Sequence, residues 1–259
     1  MSGRVAQRGR TAAPADSARS LALLWGPHNQ PGRSGLTLGR IVAAAIAVAD
    51  EAGLDALSMR RVADHLGVGT MSLYTHVPGK SELIDLMVDI AAGELYADID
   101  EPTRHSGDWR GALTFIAERN RDLYRRHPWL LELTGAQPVV GPHTSLKYEA
   151  ELRPLDGIGL TDIEMDSVLA LILTHVEGTA RAQLGAERVR AERGTDDAEW
   201  WRTQEPLLNA IPAASQFPVA GRVGQAAGEA FQTASSPGHI FGFGLVMILD
   251  GVQQLIDGR

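Results

Sequence analysis

Cysteine is absent from all 259 residues, which removes disulfide frameworks, thiolate zinc sites and cysteine nucleophiles and fits a reducing compartment. Lysine is nearly absent too. Lys80 and Lys147 are the only two, against abundant Ala, Gly and Arg, a bias of GC-rich bacterial coding more than of function. Long apolar runs are also missing: the longest, Ile41 to Ala49, is nine residues of mostly alanine, where about 20 are needed to cross a bilayer, so no membrane span is expected. Arg4, Arg8 and Arg10 precede an apolar patch at Leu21 to Trp25, but that patch is too short for a signal-peptide core, and the cytoplasm is the expected location. His65, His76, His105, His127, His143, His175 and His239 form neither His-Glu-x-x-His nor two histidines with a carboxylate at ligand spacing. With no paired carboxylates or nucleophile–base couple to place on one site, the expectation is a protein that is not an enzyme and uses no metal or cofactor.

What is present is an ordinary globular composition, 44% hydrophobic and 22% charged, with a net charge of −8. The charge is unevenly placed. Residues 1–81 hold nine Arg or Lys against five Asp or Glu, a balance of +4, while residues 82–259 hold 15 against 27, a balance of −12. Such asymmetry points to a polyanion meeting the first third of the chain.

Residues 1–36, rich in Gly, Pro, Ser, Arg and Gln with Asp16 as the one acid, show no sustained periodicity and read as a flexible basic arm. Within it Leu21, Leu23, Leu24 and Trp25 form an apolar knot suited to docking on the body. Beyond it the apolar periodicity is helical throughout and no strand is convincing. Thr37 caps a first helix that Gly53 stops, and Ser58 caps a second that ends at Gly67-Val68-Gly69. Thr70 to His76 makes a third, and Ser81 to about Tyr96 a longer fourth. Further helices are expected over Asp108–Arg126, Trp129–Thr134, Gly141 to about Leu155 and Asp162–Arg193. A proline-broken stretch leads from Asp196 to a last helix that Ser236 caps, with Pro237 at its first position.

Two short helices joined at Gly67-Val68-Gly69 have the shape of a helix-turn-helix, whose first helix braces the second against the major groove. The second helix packs Thr70, Met71, Ser72, Tyr74, Thr75 and His76 into one small element, groups that reach base edges, thymine methyls or phosphates. Leu66, Leu73 and Val77 face inward, so the polar face is spare. Arg60 begins the preceding helix, and Lys80 begins the following one, where a cation can meet a phosphate.

The run from Ala56 to Leu83, with its Val62-Ala63-x-x-Leu66-Gly67-Val68 core, Leu73-Tyr74-x-His76-Val77 tail and Lys80-x-x-Leu83 start, closely resembles the DNA-binding domain of the TetR family. The remainder resembles the tetracycline-repressor-like C-terminal domain more loosely, through Asp108-Trp109-Arg110, Arg126-His127-Pro128-Trp129 and the helix order. The resemblance implies an all-α homodimer: an N-terminal three-helix reading head and connecting helix over residues 37–97, and a helical ligand-binding and dimerisation domain over 98–259. By family position Arg60, Thr70, Met71, Ser72, Tyr74, Thr75, His76 and Lys80, with Thr37 at the start of the first helix, form the DNA-facing set. The resemblance further implies a palindromic operator, a small-molecule effector that releases it, and repression. Met71-Ser72 stands where the tetracycline repressor has Pro-Thr, so the expected operator is a different one, and no histidine carries over as a metal ligand.

Trp109, Trp129, His175, Trp200 and Trp201 are candidates for lining an apolar ligand cavity, with core packing the alternative for each. The long helices Asp162–Arg193 and Ser236–Asp257 are the implied dimer bundle, with Val168, Ile172, Phe241, Gly244, Leu245, Leu249 and Val252 as interface candidates; an internal core helix is the alternative. Two other readings stand beside the repressor: an activating or architectural DNA-binding protein without ligand control, and a helical small-molecule enzyme with a DNA-binding head.

Overall fold

A computed structural model describes residues 20–26, 36–133, 138–209, 216–233 and 236–258, and among them every regular element is a helix. Helix α1 spans Leu38–Ala52. The Thr37 hydroxyl oxygen accepts the Arg40 N–H at 3.2 Å and closes its open start. Ile41, Val42, Ala45 and Val48 are buried along one side. Helix α2, Met59–Leu66, begins in the same way, with Ser58 accepting from the Arg61 N–H at 3.1 Å. It ends at Gly67, whose φ of 69° lies in the left-handed region open to glycine and lets its N–H meet the last carbonyls. Helix α3 covers Thr70–Tyr74 and stops two residues short of the expected His76.

Helix α4, Lys80–Ala92, is also shorter than expected at its far end. Past Ala92 the amide bonds pass from the fourth to the third preceding carbonyl, Glu94 to Ala91 and Leu95 to Ala92, and the chain unwinds into turns that still bury Leu95 and Tyr96. The fully buried Asp89 of α4 accepts the N–H groups of His143 and Thr144 at 3.0 Å each and lies 2.8 Å from His143 Nδ1. A carboxylate there closes the open start of α7, Pro142–Leu152.

Packing divides the chain into two units, 1–101 with 132–150, and 102–131 with 151–259. The described residues of 132–150, which the family resemblance places with the larger domain, fall instead in the first unit, against α4.

In the second unit, α5 (Glu101–Ser106) leads to α6 (Trp109–Arg126), which Asp108 caps through the Gly111 N–H at 2.7 Å. The expected helix after it is a 3-10 segment, Pro128–Leu133; Thr134 lies outside the described residues. After α7 the chain makes a 3-10 turn, Arg153–Leu155, because Pro154 has no N–H to continue an α-helical ladder. Helix α8, Asp162–Arg193, begins with a reciprocal capping box between Thr161 and Glu164 and runs the full expected length. Helix α9 is Asp197–Asn209, and Asp197 binds Arg190 and Arg193 of α8. Those hydrogen bonds, Arg190's foremost, hold the Asp197 carboxyl below the ordinary carboxylate range. Helices α10 (Pro218–Phe231) and α11 (Pro237–Asp257) complete the unit. Its core joins α6, α8 and α11 through Ile116, Ile172, Val176, Phe241 and Leu245.

Helix α11 is long and apolar enough to cross a membrane by length and composition, with a mean hydropathy of 1.4. Counting unbroken apolar runs overlooks it, because Gly, His, Asp and Gln interrupt the sequence without making the helix polar. One of its faces is buried against α8 and α6, and the other, with Ile240, Phe243, Val246 and Met247, is exposed.

Candidate nucleic-acid interface

The first unit sets α3 on a support of its own making. Leu73 and Val77 are fully buried, as are Val62 and Ala63 of α2, so two turns of apolar contact fix the rotation of α3 about its axis. That rotation leaves Met71 76% and Tyr74 45% exposed, with Thr75 beside them and Thr70, Ser72 and His76 half-buried at the edges. The Thr75 hydroxyl donates to the Ser72 carbonyl at 2.7 Å, which leaves its oxygen free to accept. An apolar thioether, a phenol and hydroxyls on one short helix suit thymine methyls, base edges and phosphates.

The cations around this face are held in different ways. Arg60 is exposed, with Asp64 one turn on at 3.9 Å, a surface pair too weak to keep it from a phosphate. The Lys80 ammonium donates to the Leu54 carbonyl at 3.1 Å, which fixes the charge beside the start of α4 while two protons remain. The Thr37 oxygen accepts one N–H in capping α1, and its proton is left to donate. The structure adds Arg40, exposed on the first turn of α1, which with His65 lines an open cleft between α1 and α2. Sequence reading missed both because each falls inside a helix whose apolar face drew the attention, and the signal available was position alone.

Among the described residues of the second unit, the five candidate positions do not converge on one cavity. Trp129 is fully buried and offers no open surface, and Trp201 packs flat against Gly228, where a Cβ would overlap its ring. Trp200 stacks under the Arg193 guanidinium at 5.3 Å and Trp109 beside that of Arg110 at 5.4 Å. His175 Nε2 meets the Phe241 carbonyl at 2.9 Å and its ring stacks on Phe241, so it joins α8 to α11. An open cleft in this unit is lined by Arg119, Asp122, Arg125, Arg126, Leu184 and Glu187, none of them among the five candidates.

Polar groups inside this unit gather elsewhere. The buried Asn120 amide donates to the Ile116 carbonyl at 2.9 Å and to Glu151 Oε1 at 2.7 Å, which satisfies a fully buried carboxylate. Arg181 donates to the Leu131 carbonyl at 2.6 Å and pairs with Glu177 at 3.0 Å. Tyr124 stands in the field of Glu177, Glu151 and Arg181, and burial first, then the two carboxylates, pushes its phenol up to about 12 from 10.0. The folded protein therefore holds this proton more tightly than the unfolded chain does. The stability tied to it is whole below pH 10 and is lost as pH rises towards about 12. Phenolate absorbance should show a late-titrating component that Tyr124→Phe removes; a titration curve that the substitution leaves without loss at its alkaline end would contradict this.

The expected interface residues also lie inward. Val168, Ile172, Phe241, Leu245, Leu249 and Val252 are each less than a tenth exposed within the single chain, and a Cβ on Gly244 would overlap the His175 ring. They hold α8 to α11 of the same protomer, so the glycine serves an internal approach. The apolar groups left uncovered on these two helices include Ile163, Leu171 and Val189 on α8 and Ile240, Phe243, Val246, Met247 and Leu255 on α11.

Comparison with known proteins agrees with this geometry. Residues 41–87 match the profile described as bacterial regulatory proteins, tetR family, and residues 101–256 that of the tetracyclin repressor-like C-terminal domain. The chain is 42% identical over 254 residues to the HTH-type transcriptional repressor DrrR1 of Streptomyces coeruleorubidus, covering 96% of this chain and 90% of that one. It is 32% identical over 189 residues to an HTH-type transcriptional regulator of Saccharopolyspora erythraea, covering 72% and 77%. Among solved structures, ActR of Streptomyces coelicolor in complex with (S)-DNPA superimposes with a TM-score of 0.67 at 30% identity over 86% of this chain and 98% of that one. The ActR complex with actinorhodin gives 0.68 at 28% over 85% and 96%.

Proposed function

The chain belongs to the TetR family of bacterial transcriptional regulators, and on that premise we propose that it is a ligand-responsive repressor acting in the cytoplasm as a homodimer on an inverted-repeat operator. The observation that carries the reading is the rigidly seated, outward face of α3, where Met71, Tyr74 and Thr75 stand clear of a core that needs none of them. Thr70, Ser72 and His76 complete the base-reading set; Arg60, Lys80 and Thr37 supply phosphate contacts, and Arg40 joins them. The repressor name of the 42% identical relative supports the direction of control.

A reading helix of five residues spans only part of a half-site, so specificity needs two copies in fixed spacing. The exposed apolar strip of α8 and α11 is the surface a second copy covers, which also accounts for a helix of membrane-like hydropathy in a regulator. Effector binding falls to residues 101–256, as the ActR complexes with actinorhodin and (S)-DNPA support. Asn120, Tyr124, Glu177 and Arg181 are the polar groups there that would orient a small organic molecule. An effector that prefers the DNA-incompatible dimer weakens operator binding through a coupling of about 1–3 kcal/mol.

Selection of genomic fragments with the purified protein at near-physiological salt tests the proposal. Enrichment of a sharp inverted repeat is the expected result. Diffuse, salt-labile enrichment without a repeat would replace the repressor with an architectural DNA-binding protein.

A further inference from the structure

Helix α6 is a basic helix in the acidic part of the chain. Residues 82–259 hold 15 Arg or Lys against 27 Asp or Glu, yet α6 alone carries five of those arginines, against Glu118 and Asp122. Two of the five have structural tasks. Arg110 donates to the Leu249 carbonyl at 3.0 Å and pairs with Asp250, and the Arg121 guanidinium lies 4.2 Å from the centre of the Phe241 ring. The other three, Arg119, Arg125 and Arg126, line one cleft. Arg125 and Arg126 stand in the last turn, where the helix dipole favours cations, but Arg119 stands about two turns back, beyond its reach.

The cleft has a volume of about 620 Å³, within the range of small-molecule sites. Helix α8 supplies its other wall with Leu184 and Glu187. Glu187 accepts from the Gln183 amide at 2.7 Å, and Asp122 lies between Arg119 and Arg126 on one face of α6. Three guanidinium groups against two carboxylates leave one positive charge over the cleft. Tyr124 directly precedes Arg125, and Arg181 lies one turn before Leu184, so two of the groups already assigned to orient the effector stand beside this cleft along the same helices. The Tyr124 phenol, held up at about 12, stays a donor at any physiological pH.

We propose that the effector is a small organic monoanion whose carboxylate is held by Arg119, Arg125 and Arg126 in the cleft between α6 and α8. This rests on the reading of residues 101–256 as the effector-binding part and names the class of molecule they take. A guanidinium meets a carboxylate through paired N–H donors, which separates a carboxylate from an amide of the same shape. The single excess charge suits a monoanion better than a dianion. Leu184 offers the body of the molecule an apolar contact, while Asp122 and Glu187 accept from hydroxyls that it carries.

The test titrates the full-length protein with a hydroxynaphthoate and with the matching carboxamide, followed by calorimetry. The carboxylate should bind about tenfold tighter than the carboxamide or better, an advantage that shrinks as salt is raised because the cleft is open to solvent. Arg125→Gln with Arg126→Gln should bring the two probes to similar affinity at an unchanged melting temperature. Arg119→Gln alone should remove part of the advantage, and it serves where the double variant does not fold. Equal affinities in the parent, no binding of either probe, or an advantage that survives in these variants would overturn the proposal. Repeating the titration with the selected operator present tests the reading beneath it. Release of the operator by the carboxylate supports both; arginine-dependent binding without release would uphold the anion site and count against ligand control.

Discussion

Replacing Tyr74 by alanine should weaken operator binding by about thirtyfold to ten-thousandfold or more while helix content and dimerisation stay as in the parent. The phenol projects from a helix whose seating depends on Leu73 and Val77, so its removal opens no cavity in the head. A good base contact is worth about 1–3 kcal/mol, and in a dimer two heads lose it together, which gives the expected range. Anisotropy titration with the selected operator measures the loss. Affinity for random duplex should change little, because phosphate contacts dominate there. Unchanged operator affinity would remove α3 from the interface; equal loss on both duplexes would make Tyr74 a phosphate contact and not a base reader.

A second large effect is expected from charging the outer face of α11. Phe243 is 60% and Met247 50% exposed, one turn apart on the side that α8 does not cover. Phe243→Arg with Met247→Arg should give a folded monomer on light scattering, because two unpaired charges per copy would have to be buried at the apolar join. Operator affinity should fall with it by at least a hundredfold, since one five-residue reading helix is left to act alone. Gly244→Arg, on the inner face, should unfold the protein instead: any side chain there strikes His175. A persisting dimer in the Phe243, Met247 variant would move the interface elsewhere.

Much of the reading head was legible in sequence because its signals are local. Thr37 and Ser58 each stand just before an apolar period begins, Gly67 just after one ends, and each does in the structure what that position demands. The spare face of α3 followed by subtraction once Leu73 and Val77 were assigned inward. Where the signals are not local, the sequence left two alternatives open that only the packing separates. Helix α11 is apolar nearly all round, and period alone does not tell Phe241, buried, from Phe243, exposed; burial within the single chain favours the core-helix alternative for the face that carries Phe241. Tryptophan serves core and cavity alike, and what decides between them at Trp129 and Trp201 is the neighbour across the gap, Gly228 in one case. The Asn120–Glu151 bond joins residues 31 apart, and nothing in either local stretch announces it.

The carboxylate of Asp89 has a bearing on how such proteins are recombined. A reading head exchanged between regulators would most simply be cut just after the connecting helix. In this chain a cut there would leave Asp89 buried with nothing to accept from, and the start of α7 open, because His143 and Thr144 would arrive from a different parent. The exchangeable cassette is consequently discontinuous: the first 101 residues travel together with 132–150, or the graft begins with a broken joint.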